Sequence, residues 1–196
     1  MMKKFEELHR LKDRMEKDDS LPLKKVANKL VFGSGNTETK ILLIGEGPGR
    51  NEDLQGLPFV GQAGKLLDKL LLLADLERKK VFITNIVHHR PPENRDPLPE
   101  EIRAYGRYLD DIVNIIKPKV IITLGRFSMA KFLPDVFISQ VHGKSFEVNW
   151  GDPLDGSALK LTVIPMYHPA ASLRNGKILE AEKADFLKLK DMIQSI

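Results

Sequence analysis

Four short apolar runs constrain the fold of this 196-residue chain more than any other feature. They span residues 40–44, 81–86, 119–124 and 161–166, and each is followed by a loop rich in glycine, proline or polar residues. Runs of this kind are typical of strands buried on both faces of a parallel sheet. Because helical patterns separate them, we predict an α/β fold with three α/β/α layers around a central four-stranded, mainly parallel sheet.

The spacing of apolar residues predicts the helices of the outer layers. We expect helices over residues 3–17, 64–76, 99–116, 126–132 and 179–196. The segment GSGN at 33–36 is interpreted as a turn, and residues 136–150 as irregular structure or a small hairpin. With no internal repeat, residues 1–196 are expected to form a single domain.

Composition sets broad limits on function. Lys and Arg exceed Asp and Glu by 31 to 27, and this net charge of +4 suits nucleic-acid binding but is also common in other enzymes. The absence of cysteine excludes disulfides and thiolate chemistry. No apolar stretch reaches the roughly 18 residues of a membrane span, and the start is helical with mixed charge. We therefore expect a cytoplasmic monomer without membrane contact.

The loops after the four predicted strands carry the chemically interesting residues. In an open α/β sheet such loops converge on one edge, where the ligand crevice forms. Residues 45–49, Asn85, Gly125 and His168 are therefore expected to share one pocket. The first of these loops, Gly45-Glu46-Gly47-Pro48-Gly49, lacks the Gly-Lys-Ser/Thr ending of a P-loop and the spacing of a dinucleotide fingerprint. Its glycines instead let a flat ligand approach the backbone closely.

Four separated segments resemble the uracil-DNA glycosylase superfamily, specifically family 4. They are VFGSGN (31–36), GEGPGRNEDLQGLPFVGQAGKLLDKLL (45–71), VFITNIVHHRPPENRDPLPEE (81–101) and YHPAASLRNGK (167–177). The resemblance implies an enzyme of base-excision repair that hydrolyses the N-glycosidic bond of uracil in single- or double-stranded DNA. It leaves an abasic site and uses no cofactor. The uracil must be flipped out, because the anomeric carbon is inaccessible inside the base stack.

The resemblance assigns roles to the residues of the pocket. It implies that Phe59 stacks on the extruded uracil and that the backbone at Gly45, Glu46 and Gly47 contacts a uracil carbonyl. The Asn85 amide can donate to uracil O4 and accept from N3–H, whereas cytosine presents the opposite pattern. As the bond breaks, negative charge collects on the leaving base, and a neutral His168 imidazole can donate a hydrogen bond to it.

Glu46 has three possible roles that the sequence leaves open. By resemblance it holds or activates the attacking water, and its carboxylate can also stabilise an oxocarbenium-like sugar electrostatically. Gly47 stands where other branches of the superfamily carry an aspartate, so a strong general base is not expected from that position.

Basic residues on the same loops are candidate DNA contacts. We expect phosphate contacts, which position DNA without reading its sequence, from Arg90, Arg95, Arg126, Arg174 and Lys177. Leu173 matches the wedge residue that enters the minor groove and fills the vacated space.

One family feature is missing. Family 4 enzymes typically hold an iron–sulfur cluster through four cysteines, and the corresponding positions here are Asp18, Leu21, His89 and approximately Tyr105. We predict no cluster and no metal. Leu21 and Tyr105 are expected to fill the volume with an apolar contact, and Asp18 and His89 offer a polar pair.

Three other functions stay open. The first is a glycosylase for other deaminated bases, such as hypoxanthine. The second is a relative that traps uracil covalently on a histidine in an inserted basic loop, but His88-His89-Arg90 runs directly into Pro91 without an insertion. The third is a non-catalytic DNA-binding module, which has no need for the combination of Glu46, Phe59, Asn85 and His168.

Overall fold

One six-stranded sheet forms the centre of the structure, a computed structural model that describes residues 2–151 and 158–194. The strands are Ser34–Gly35 (β1), Ile41–Gly45 (β2), Phe82–Asn85 (β3), Val120–Leu124 (β4), Phe146–Trp150 (β5) and Leu159–Met166 (β6). They lie in the order β1-β3-β2-β4-β6-β5. The four inner strands pair in parallel, which confirms the predicted core, and the two edge strands pair antiparallel.

The two edge strands correct the predicted strand count from four to six. Strand β1 has only two residues, and it lies where the sequence predicts a turn, because so short a segment has no readable alternation. Strand β5 occupies the last third of the segment 136–150, predicted as irregular or a small hairpin, and it pairs with β6 from Phe146–Val163 to Trp150–Leu159. Its side chains are half-buried or exposed, so the apolar signal of the inner strands is missing.

Eight α-helices surround the sheet within the described ranges. They are Met2–Glu16 (α1), Arg50–Gln55 (α2), Gln62–Leu73 (α3), Pro99–Ile116 (α4), Arg126–Ala130 (α5), Ile138–Val141 (α6), Pro169–Ser172 (α7) and Gly176–Gln194 (α8). The five predicted helices are confirmed: α4 has the predicted bounds and the other four have shifted ends, although residues 195–196 of the last one lie outside the described residues. Helices α2, α6 and α7 are too short to show a helical period. No helix in these ranges has the length and apolarity needed to cross a membrane.

The sheet separates two apolar layers, as the three-layer prediction requires. Successive residues of β2 point to opposite faces, so Leu42 and Ile44 belong to one core cluster and Leu43 to the other. Helices α1 and α4 cover the first face, and α3 and α8 cover the second. With both faces covered, the ligand crevice is left to the edge where the inner strands end.

The segment after β6 is held to helix α8 by a buried acidic residue. The Ser172 hydroxyl, at the end of α7, donates to Glu182 Oε2 on α8, while Glu182 Oε1 has no partner among the described residues. Glu182 is fully buried, and this burial raises the pKa of its carboxyl to about 7. On the same helix, Asp185 pairs with His142 at 2.6 Å. The α7–α8 junction therefore depends on the protonation state of Glu182.

Replacing Glu182 by glutamine should change how stability depends on pH. The folded protein keeps Glu182 protonated between its ordinary pKa of 4.5 and about 7, so it binds more protons than the unfolded chain in that window. Stability from this group is therefore complete below the window and is lost as pH rises through it. We subtract the unfolding free energy of the parent from that of Glu182→Gln. As the pH rises from about 4 to 8, this difference should increase by up to about 3 kcal/mol, because only the parent loses stability in that window.

Urea denaturation across that pH range measures the effect. Glu180→Gln is the matched control, because Glu180 lies on the same helix but is exposed, in an ion pair with Lys183. The difference in unfolding free energy between Glu180→Gln and the parent should stay nearly constant across this pH range. If the difference in unfolding free energy between Glu182→Gln and the parent were also independent of pH, this would contradict the raised pKa of Glu182.

Candidate active site

A cavity of about 600 Å³ opens at the carboxyl edge of the inner strands. It collects Glu46 and Gly47 after β2, Asn85 at the end of β3, and His168 after β6, together with the ring of Phe59. These are the residues that the sequence predicted for one pocket. Other lining residues include Pro48, Glu52, Pro91, Asn94, Asp96 and Ala170. Gly45 and Gly125 lie behind this wall, where Gly45 adjoins Asn85 and Phe59 and Gly125 adjoins Glu46.

Asn85 lines this cavity and carries an unsatisfied polar atom. The residue is 1% exposed, and its Oδ1 atom has no hydrogen-bond partner among the described residues. Gly45 pairs with Asn85 across β2 and β3, and a Cβ atom on Gly45 would lie only 2.5 Å from Asn85 Oδ1. Glycine is therefore required there for the amide to keep its position. A buried acceptor without a partner is costly, and a ligand donor would satisfy it.

Phe59 supplies an aromatic face next to the amide. Its ring is buried, and its centroid lies 5.7 Å from that of His168 at an interplanar angle of 27°. The backbone of Phe59 is in the left-handed region, with φ of 51°, which is uncommon for a residue with a side chain. A planar ligand that reaches Asn85 therefore also meets the face of an aromatic ring held in a fixed orientation.

His168 is neutral and has a defined tautomer. Its Nδ1 accepts a hydrogen bond from the Ala170 backbone N–H at 3.1 Å, where His168 caps α7. The proton of the neutral ring is consequently on Nε2. Burial lowers the pKa of His168 to about 4, and the nearby Glu52 carboxylate opposes this shift only in part. The site thus contains an uncharged N–H donor at neutral pH.

Glu46 is the acidic group of the pocket. Its Oε1 accepts a hydrogen bond of 3.3 Å from the Phe127 backbone N–H at the start of α5. Removal from water raises the pKa of the Glu46 carboxyl, and the Phe127 N–H and the charge of Arg126 oppose that rise. A carboxylate in this environment can accept a proton or stabilise a neighbouring positive charge.

Three of the six predicted DNA-contacting residues line the cavity. They are Arg95, Arg126 and Arg174. Leu173 is 52% exposed and follows α7 directly, so its side chain is available to a partner. Lys177 is also exposed, one turn further along the chain in α8.

Three of the arginines have partners within the protein. Arg95 forms a two-pronged pair with the buried Glu101 at 2.9 and 2.6 Å, which fixes the loop before α4. Arg126 pairs with Asp96 at 2.5 Å, and Arg90 donates to Asn94 at 2.7 Å. The Arg95 pair is the most buried, so this arginine stabilises the loop as well as facing the cavity.

Sequence reasoning missed Glu52, Asn94 and Asp96 as residues of the site. Glu52 lies inside the glycine-rich motif, but its hydrogen bonds go to backbone groups eight and nine residues away, which no local pattern reveals. Asn94 has a positive φ of 56° in a proline-rich loop. Asparagine is enriched in that conformation, and this was the one available signal.

Fold and pocket together define an α/β protein whose strand-end site is built for a flat, polar ring. The model of the Uracil DNA glycosylase superfamily matches residues 32–190, so the chain belongs to this superfamily and the resemblance read from the sequence is confirmed.

Similar proteins come from archaea and bacteria. A Type-4 uracil-DNA glycosylase of Archaeoglobus fulgidus is 44% identical over 177 residues, which cover 87% of this chain and 85% of the relative. The Type-4 uracil-DNA glycosylase of Saccharolobus solfataricus is 41% identical, with coverage of 97% and 88%. That of Thermotoga maritima is 41% identical, with coverage of 83% and 81%.

The residues at the predicted cluster positions do not fit an iron–sulfur cluster. The chain has no cysteine, and such a cluster needs thiolate ligands. His89 Nδ1 is hydrogen-bonded to the Tyr105 hydroxyl at 2.8 Å, and both residues are buried together with Leu21. The suggested Asp18–His89 pair is corrected, because Asp18 instead accepts from Ser20, Tyr108 and Arg107. Leu21 and Tyr105 thus lie in one buried apolar cluster, as expected, and the hydrogen bond between His89 and Tyr105 adds a polar contact.

Removing the Tyr105 hydroxyl tests this replacement contact. Tyr105→Phe leaves His89 Nδ1 buried without its partner, which should lower the unfolding free energy by about 1–3 kcal/mol in urea denaturation. Tyr108→Phe is the matched control on the same helix, because Asp18 keeps Ser20 and Arg107 as donors and a smaller loss follows. If Tyr105→Phe and Tyr108→Phe lowered the unfolding free energy equally, the His89–Tyr105 bond would contribute no more to stability than the Asp18–Tyr108 bond, which would contradict this interpretation.

Proposed function

We propose that the protein is a uracil-DNA glycosylase, which hydrolyses the N-glycosidic bond of a uracil flipped out of DNA and leaves an abasic site. Membership of the superfamily supports this function, as do the relatives named Type-4 uracil-DNA glycosylase, which align along most of the chain. DNA containing uracil is the partner. We propose that both single- and double-stranded DNA are substrates, because the recognition residues contact only the extruded base.

The observation that carries this proposal is the unpartnered Asn85 Oδ1 in a buried pocket. Uracil presents an N3–H donor, which satisfies that acceptor. Unprotonated cytosine presents a lone pair at N3, and pairing it with Asn85 Oδ1 leaves two buried acceptors facing each other. Asn85 thus selects uracil through hydrogen bonding, and Phe59 holds the ring by stacking, a contact that accepts any flat base.

His168 stabilises the leaving group in the proposed reaction. When the bond between C1′ and N1 breaks, the bonding electron pair goes to the base, and negative charge reaches uracil O2. The neutral Nε2–H donor of His168 interacts more strongly with that charge than with the neutral carbonyl, so it lowers the barrier. Because burial keeps the imidazole uncharged, the departing uracil leaves as an anion and takes no proton from His168 in this step.

Glu46 acts on the other product of bond cleavage. Loss of the base makes the sugar oxocarbenium-like, and water must add at C1′ and lose a proton. The ionised Glu46 carboxylate stabilises the positive sugar, accepts a hydrogen bond from that water and takes up the proton that the water releases on addition. Around the mouth of the pocket, Arg126, Arg174 and Lys177 contact phosphates, and Leu173 fills the space that the flipped base leaves.

A glycosylase assay tests the function directly. The protein is incubated with single- and double-stranded oligonucleotides that contain one uracil, and abasic sites are then cleaved with alkali. We expect strand scission with uracil, and oligonucleotides containing cytosine or hypoxanthine measure base preference in parallel. His168→Ala should reduce the single-turnover rate by about a hundredfold or more. Intact DNA binding without scission would refute the enzyme and leave a binding module, and an unchanged rate for the variant would refute the role of His168.

The pH dependence of the single-turnover rate separates the two catalytic residues. His168, with a pKa of about 4, stays neutral between about pH 5 and pH 8 and adds no step to the profile there. The pKa of Glu46 is raised by burial, so the rate should increase with pH as this group ionises, at higher pH than for an exposed carboxylate. Glu46→Gln should lower the rate and remove this increase, whereas His168→Ala should lower the rate and retain it. A parent rate that showed no rise at any pH at which the protein is folded would contradict this role of Glu46.

A further inference from the structure

The strained backbone of Phe59 needs an explanation beyond the packing of its ring. Its left-handed conformation costs free energy and persists only where the surroundings determine it fully. Behind the Phe59 segment lies a second cavity of about 360 Å³, which Leu57, Val60 and Arg78 help to line. Phe59 therefore borders both cavities, while its ring also belongs to the apolar core cluster covered by α3 and α8.

Glu52 holds the donor side of this segment. From helix α2, its Oε1 atom accepts hydrogen bonds from the backbone N–H groups of Val60 at 2.8 Å and Gly61 at 2.7 Å. These are the two peptide groups directly after Phe59. A single carboxylate oxygen thus fixes the direction in which the chain leaves the aromatic residue, and charge-assisted bonds of this kind are the strong ones.

Arg78 holds the acceptor side. Its Nη1 donates to the Phe59 carbonyl at 3.0 Å, and its Nη2 donates to the Pro58 carbonyl at 2.5 Å. Asp68, on α3, accepts from the same guanidinium at 3.0 Å and keeps it in place. The planar fork of arginine suits two adjacent carbonyls, which the point charge of lysine does not.

Helix α3 adds a steric limit at the same carbonyl. A Cβ atom on Gly64 would lie 1.9 Å from the Phe59 oxygen, so the helix backbone is in direct contact with this peptide group. Four successive backbone groups around Phe59 are consequently fixed by two charged side chains from separate elements.

We infer that Glu52 and Arg78 are positioning residues for the reaction, because they fix the orientation of the Phe59 ring through the backbone of residues 58–61. This inference rests on the proposed function. In this role both residues act through the backbone and not by contact with the substrate. They stabilise the strained conformation, so that the stacking face is in place before uracil arrives. A misplaced ring reduces stacking and alignment together, and misplacement of about 1 Å can cost on the order of a hundredfold in rate.

The test is a double-mutant cycle with Phe59→Leu, a change that keeps an apolar side chain but removes the aromatic face. In the parent background, Glu52→Ala and Arg78→Met should each lower kcat/KM for a uracil oligonucleotide by about tenfold or more. In the Phe59→Leu background, each substitution should lower kcat/KM by less than about a further twofold, because there is no longer an aromatic ring to orient. Inhibition by free uracil should weaken in the same variants, since the product also needs the stacking face.

A neighbouring residue supplies the control. Asp53 follows Glu52 on the same helix and is buried, and it accepts backbone hydrogen bonds from Asn28 at 2.8 Å and Lys29 at 3.2 Å. Asp53→Ala thus removes the same kind of bond from a different segment, residues 28–29, and leaves the backbone bonds of residues 60–61 in place. It should lower the unfolding temperature but leave kcat/KM unchanged below that temperature.

Conservative variants keep the test valid if the severe ones fold poorly. Glu52→Gln retains an acceptor oxygen and should recover most of the activity, whereas Arg78→Lys should not, because it cannot serve both carbonyls. Equal losses in the parent and Phe59→Leu backgrounds, or an Asp53→Ala variant as defective as Glu52→Ala, would overturn the inference. A parent enzyme inactive on uracil would instead refute the proposed function, which separates the two failures.

Discussion

The pairing of Gly45 with Asn85 at the ends of β2 and β3 is the contact on which the pocket depends. The parallel register brings the two residues side by side, and the missing side chain of Gly45 leaves space for two groups at once. A Cβ atom there would lie 2.5 Å from the Asn85 amide oxygen and 2.7 Å from two carbons of the Phe59 ring. Recognition of the edge of a base and of its face is therefore coupled through one glycine.

Neutral and charged groups have different roles in the site. The groups proposed to contact the base are uncharged: the Asn85 amide, the Phe59 ring and the neutral His168 imidazole. Charged side chains instead fix loops, as Glu52 and Arg78 do around Phe59 and as Arg95 and Glu101 do before α4. In a pocket of low dielectric, a neutral donor avoids the desolvation cost of an ion, yet it still interacts strongly with an anion that forms during the reaction.

The inner sheet, the four long helices and the members of the pocket could be predicted because each leaves a local signal. Buried strands give unbroken apolar runs, long helices give a period, and the family motifs identify Phe59, Asn85 and His168. Strand β1 and helices α2 and α7 are too short for any period. Glu52 and Arg78 were beyond prediction for another reason. Their partners are backbone groups 8 to 20 residues away, which depend on the path of the chain and carry no side-chain signature.

The loss of the cluster cysteines fits this division. Of the four cluster positions, His89 lies in the loop that starts at Asn85, so whatever replaces the cluster must still hold this loop. Its bond to Tyr105 fixes the beginning of the loop against α4, and the Arg95–Glu101 pair fixes the end against the same helix. The His89–Tyr105 bond and the Arg95–Glu101 pair both attach the segment between β3 and α4 to helix α4, which covers the same face of the sheet as α1. Because the loop is bound at both ends without sulfur, the position of Asn85 does not require a cluster.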